Sequence, residues 1–218
     1  CTIKGCPKLE VIDFSNSKNL AKLEIQNLPS LLTIDISMTK LSNESLDFDL
    51  PQLQTMIASF TSISCLKPNH FPNLINLDIS DTEISDLSFL LDLKKLQRFR
   101  FMSFSHFSAD PVEFNFNLLF THPSLTSFFA GPGRVICDSL PNQNESSSTL
   151  QFIILEDVEF ESGDPLNIQS RVKYFCDKYT YEIPPITSAD IASQEWPVSM
   201  SLLYGPWGIP KCDNHNHE

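Results

Sequence analysis

The sequence predicts an α/β solenoid with a curved parallel sheet on its concave face and a C-terminal cap, and three observations carry that prediction. A frame of leucine, then apolar residues three and five positions on, recurs at intervals near 22 residues. Proline stands two positions before the leucine in five of these units. Aromatic residues divide the chain, with 16 of the 17 Phe before residue 161 and all four Tyr and both Trp after residue 173.

The clearest unit spans residues 74–96. Leu74, Leu77 and Ile79 are followed by Ile84, then by Leu87, Leu90 and Leu93 at helical spacing, before Leu96, Phe99 and Phe101 restart the frame. A short strand, a bend and a helical or looser return explain that order, whereas one helix or one hairpin does not. The frame begins at Leu9, Leu20, Leu31, Leu53, Leu74, Leu96, Leu125 and Leu150, giving seven to eight coils over residues 1–160. Leu20 follows Leu9 by only 11 residues, so it reads as the return half of a 22-residue unit. Strands are expected over 12–14, 34–36, 56–58, 77–79, 99–101, 128–130 and 153–155, with their apolar residues buried.

Corners follow from the residues between these strands. Cys6-Pro7-Lys8-Leu9, Leu28-Pro29-Ser30-Leu31, Leu50-Pro51-Gln52-Leu53, Phe71-Pro72-Asn73-Leu74 and His122-Pro123-Ser124-Leu125 place proline where the chain bends into a strand. Proline fixes φ and has no N–H, so it suits that bend and not the ladder. Cys6 shares a column with Leu28 and Phe71 and is expected to be a buried thiol, as is Cys65. Thr39, Thr61 and Thr82, with Ser17 in the first unit, occur eight positions after the strand leucine, where a hydroxyl can bond the main chain of a tight bend.

The units headed by Leu96 and Leu125 are enlarged and Phe-rich, which places insertions on the return side or at an edge. Beyond residue 160 the frame is expected to stop, with a short helix over 168–179. Residues 161–218 carry Pro184-Pro185, Trp196-Pro197 and Gly205-Pro206-Trp207-Gly208, and read either as a cap over the last coil or as the start of a following module. The first coil has only residues 1–5 to cover Leu9, Ile12 and Phe14, so earlier repeats are expected.

This pattern resembles the leucine-rich repeat over residues 6–160. The 22-residue unit is similar to the class seen in bacterial internalin-like proteins, and the irregular later units to ectodomains of protist surface proteins. The family's usual Asn at the bend is replaced here by Thr or Ser. What the resemblance implies is a binding role with no catalytic residues to carry over. It also implies disulfides near the cap, for which Cys176 and Cys212 are the preferred pair, although sequence leaves connectivity open.

Composition narrows the chemistry. A formal charge of −12 repels a phosphate backbone, so nucleic acid is not an expected partner. No run of about 18 apolar residues exists for a membrane span. Cys212, His215 and His217 lack the further ligands of a metal site, and His70, His106 and His122 read as turn and coil-edge residues. Gly131-Pro132-Gly133 reads as a turn leaving a strand. No catalytic residue, cofactor or metal is expected. The sequons at Asn43 and Asn144 lean the compartment outward.

Strand alternation assigns an outward column Asp13, Glu24, Asp35, Ile57, Asp78, Arg100, Phe129, Ile154 and a second column Ser15, Gln26, Ser37, Ser59, Ser80, Met102, Gly131, Glu156. The acidic and hydroxyl-rich first half is expected to keep the sheet solvated. Arg98, Arg100, Phe129, Phe152 and Ile154 have the composition of an interface centre and are the candidate partner-binding residues, unless the insertion or the cap folds over them. The expected function is protein–protein recognition, extracellular or at the cell surface, through the concave face. An intracellular scaffold or regulatory subunit in the cytoplasm is the alternative.

Overall fold

The computed structural model describes residues 1–43, 48–102, 113–131, 133–136, 148–155, 158–160 and 168–176. Eight parallel strands form its main sheet: β2 (Val11–Asp13), β4 (Thr33–Asp35), β5 (Thr55–Ile57), β6 (Asn76–Asp78), β7 (Arg98–Met102), β9 (Ser127–Gly131), β11 (Phe152–Leu155) and β13 (Tyr174–Cys176). Successive strands start 22, 22, 21, 22, 29, 25 and 22 residues apart, so each pairing is one turn of a solenoid. The intervals follow the leucine frame. Each strand begins about one residue earlier than expected, and the predicted inward residues are buried from Ile12 through Leu155 except Phe14, which is half-buried at the edge coil.

Two smaller parallel sheets lie on the return side. β1 (Thr2–Lys4) pairs with β3 (Glu24–Gln26), 22 residues on, which makes the unit at Leu20 the return half of a coil. Glu24 and Gln26 therefore do not belong to the concave columns to which strand alternation assigned them. The second sheet contains β8 (Glu113–Asn115), β10 (Gly133–Ile136) and β12 (Val158–Phe160). The six-residue helix α1 (Phe116–Thr121) follows β8, and Asn115 caps it by accepting the N–H groups of Asn117 and Leu118. The turn expected at Gly131-Pro132-Gly133 lies between β9 and β10, with Pro132 outside the described residues; Gly131 has φ +146°, a conformation suited to glycine.

Corners carry repeating devices. Thr39, Thr61 and Thr82 donate to the carbonyls of Ile36, Ala58 and Ile79 at 2.7–2.8 Å, which is the role assigned to them. One residue before each threonine the chain enters the left-handed region: Met38, Phe60 and Asp81 have φ +54°, +56° and +48°, as does Asn16 at +60° before Ser17. Asn and Asp tolerate this conformation; Met and Phe adopt it only because the coil geometry demands it.

Three further expectations of local structure need correction. Cys6 is exposed although Leu28, Leu50, Phe71 and His122 in its column are buried, because it lies in the first coil of the sheet and has a stacked neighbour on one side only. Cys65 is also exposed, its N–H held by Asn43 Oδ1 at 3.2 Å on the outer corner. Residues 168–176 hold a single helical turn and then β13, paired in register with β11, in place of the start of a helix over 168–179. β11 offers an edge, and Lys173 N–H reaches Gln151 carbonyl at 2.9 Å to begin that pairing. Residues 161–167 and 177–218, most of the expected cap, lie outside the described residues, as do Cys212 and Asn144.

Candidate functional site: the concave face

Register places the outward residues of the main sheet in continuous rows. Asp13, Asp35, Ile57, Asp78, Arg100, Phe129 and Ile154 are successive cross-strand partners from β2 to β11. Beside them run Thr33, Thr55, Asn76, Arg98, Ser127 and Phe152.

The N-terminal part of the central row uses its carboxylates locally. In Asp13-Phe14-Ser15, Asp35-Ile36-Ser37 and Asp78-Ile79-Ser80, Asp Oδ1 accepts the serine N–H at 2.9 Å, and Asp35 also takes the Ser37 hydroxyl at 2.6 Å. Asp35 and Asp78 are fully buried. At Asp35 and Asp78 this overturns the expectation of a solvated acidic face, which holds at exposed Asp13; each of the three carboxylates satisfies the main chain where a three-residue strand ends.

Two polar lines cross the middle of the sheet. In one, Arg98 Nε donates to Asn76 Oδ1 at 2.6 Å and Asn76 Nδ2 donates to Thr55 Oγ1 at 2.9 Å. In the other, Arg100 Nη1 lies 3.8 Å from Asp78 Oδ2 while its guanidinium carbon stands 4.7 Å from the centroid of Phe129. Burial pushes the Asp78 carboxyl up from the usual carboxylate range, against the opposing pull of Arg100 and the Ser80 hydrogen bonds. Burial also lowers the Arg98 guanidinium from its ordinary value.

The five candidate partner-binding residues are thus adjacent but unequal. Arg98, Phe129 and Phe152 are half-buried, whereas Arg100 and Ile154 are 5 % exposed and lie beneath the surface. Sequence reasoning missed the Thr55–Asn76–Arg98 line, because its members are 21 and 22 residues apart and only the common register signals them.

Asn43 is the described member of the two sequons. Its Nδ2 donates to Ser64 Oγ at 2.7 Å and its Oδ1 accepts the N–H groups of Ser64 and Cys65, clamping one coil to the next. Among the described residues no helix is long and apolar enough to cross a membrane and no group of three or more potential ligands could hold a metal ion.

Parallel register, a 22-residue interval and a leucine-lined interior define the class: this is a leucine-rich repeat solenoid. No protein-family model matches the chain, and no curated protein matches it significantly. Among solved structures, an internalin (inlF) from Listeria monocytogenes is similar, at 14% identity and a TM-score of 0.47, over 72% of this chain and 52% of that one. The chain thus spans about half the length of that protein.

Proposed function

We propose that this solenoid is a non-catalytic protein-recognition module of an extracellular or cell-surface protein, and that its partner docks on the C-terminal half of the concave face. The observation that carries the reading is the half-exposed trio Arg98, Phe129 and Phe152 set over buried Arg100 and Ile154. Aromatic and arginine side chains dominate interface energetics because they combine large desolvated area with directional bonds. A protein surface with an apolar patch and an acidic rim complements it.

A photo-crosslinking residue at position 129 is expected to capture a partner, whereas one at Glu113, exposed on the return-side sheet, captures none. Equal capture from both positions overturns the assignment of the face. With the captured partner in hand, Phe129→Ala and Phe152→Ala should each cost about 2 kcal/mol or more of binding, and Asp13→Ala far less.

The outward compartment rests on the two sequons and on a Cys176–Cys212 disulfide. A glycan on Asn43 Nδ2 leaves one N–H for Ser64, so glycosylation and the clamp are compatible. The second reading, an intracellular scaffold or regulatory subunit, is favoured by Cys1, Cys6 and Cys65, which are all exposed free thiols. Counting thiols on the native protein separates the two. Six titratable cysteines support the intracellular reading, and protected Cys176 and Cys212 with glycans at Asn43 and Asn144 support the extracellular one.

A further inference from the structure

Each strand of the main sheet is entered through a corner whose last N–H must find an acceptor. At the corners before β2, β4, β5, β6 and β7 that acceptor is a main-chain carbonyl three residues earlier. Leu9 bonds Cys6, Leu31 bonds Leu28, Leu53 bonds Leu50, Leu74 bonds Phe71 and Leu96 bonds Leu93, at 2.9–3.3 Å. The corner before β9 departs from this rule. Leu125 and Ser124 donate their N–H groups to Nδ1 of His122 at 3.0 and 3.2 Å, and Nε2 of the same ring lies 3.1 Å from the carbonyl of Leu90, 32 residues earlier.

The tautomer follows from the geometry. An Nδ1 that accepts two N–H groups carries no hydrogen, so Nε2 carries it and donates to Leu90. One neutral ring thereby holds the corner before β9 and ties it to the 3-10 turn Ser88–Asp92 of the preceding coil. The ring is 2 % exposed. Protonation would put a hydrogen on Nδ1 facing two N–H donors, breaking both bonds and leaving a cation away from water.

Among the described residues the surrounding charges give that cation no refuge. Asp92, Lys94 and Lys95 beside the 3-10 turn are exposed, and Arg171 lies 5.8 Å from the Phe120 ring of α1. None of them bonds the imidazole. Burial lowers the His122 pKa most, opposed by the carbonyls of Leu90 and Leu93, and the Lys94 charge lowers it further.

We propose that His122 is an acid-released joint between the coils of β7 and β9: neutral, it fixes the corner that aims β9 and Phe129, and mild acid unlocks that corner while earlier corners stay closed. The joint stands whether or not Phe129 binds a partner. A histidine whose folded pKa is depressed contributes stability that is fully present above its unfolded pKa of about 6.5 and is lost as pH falls from there through its lower folded value. Between about pH 7.5 and pH 5 the opening equilibrium of the corner should rise, up to the ceiling of about 30-fold that the unfolded pKa sets.

The test is amide hydrogen exchange on the full chain at these two pH values, corrected for intrinsic rates, in the wild type and in His122→Asn. Asn can offer Oδ1 to the same two N–H groups without titrating. Protection at Ser124 and Leu125 should fall several-fold, to at most about 30-fold, in the wild type and far less in the variant, with Leu53 and Leu74 unchanged in both. Unchanged wild-type protection, an equal fall in the variant, or an equal fall at Leu53 and Leu74 would overturn the joint. If the variant does not fold, NMR of the wild-type imidazole decides. Proton uptake at His122 coincident with loss of Leu125 protection supports the proposal, and uptake with protection intact overturns it.

Discussion

The coils of β2 to β6 and those of β7 to β13 share one continuous sheet but are stabilised differently. In the first group the interval stays at 21 or 22 residues, and polar side chains manage the corners: Asp-x-Ser at strand ends, threonine at bends. In the second group the intervals grow to 29 and 25 before returning to 22 at β13, and part of the return half becomes the β8–β10–β12 sheet. Its ladder satisfies main-chain groups, and the interior turns aromatic, with Phe128 lying 5.7–6.0 Å from the rings of Phe99, Phe114 and Phe116. A regular coil thus depends on side-chain hydrogen bonds, while an enlarged one depends on a second sheet and packed rings.

Phe128→Ala tests the enlarged coils most severely. Removing a fully buried ring shared by three others should cost about 3–5 kcal/mol in denaturant unfolding, whereas a loss below about 1 kcal/mol would mean that the rings do not form one core. In the regular coils the matching change, Leu77→Ala, should cost about 2–5 kcal/mol, and the two values together rank the two kinds of interior.

Arg100→Leu probes the boundary between the groups, because it strands the buried Asp78 carboxyl. It should cost about 3 kcal/mol near neutral pH. Asp78 already titrates above the usual carboxylate range, so its protonated form is favoured in the folded state, and the contribution from that shift is present in acid and lost as pH rises. The damage done by Arg100→Leu should therefore shrink on acidification, and adding Asp78→Asn should recover much of it at neutral pH. A pH-independent penalty would show that the pair is not coupled.

Thr61→Val removes one corner bond while keeping the shape, and should cost about 1 kcal/mol. The smallest effect is expected at Met38, whose left-handed backbone suits Asn better. Met38→Asn should stabilise the protein by a few tenths of a kcal/mol, about what relief of φ strain leaves after the lost apolar contact. A measurable loss would show that Met38 packing outweighs its strain.

Periodicity in the sequence alone determined the solenoid, the inward residues from Ile12 to Leu155, the proline corners and the threonine bends. Each follows from rules spanning a few residues: strand alternation, the locked φ of proline, and a hydroxyl within reach of a carbonyl three residues back. Neighbouring coils decided the rest. Whether Cys6 is buried depends on a stacked coil that its column cannot reveal, and Asp35 and Asp78 read as solvated until the structure buries them as caps. Arg98–Asn76–Thr55 and His122–Leu90 join residues 21, 22 and 32 positions apart, and β13 forms because β11 presents an edge. Local pattern encodes which face a side chain takes, but contact between coils arises only when the repeats stack, so burial, pairing and the aromatic interior belong to the tertiary structure.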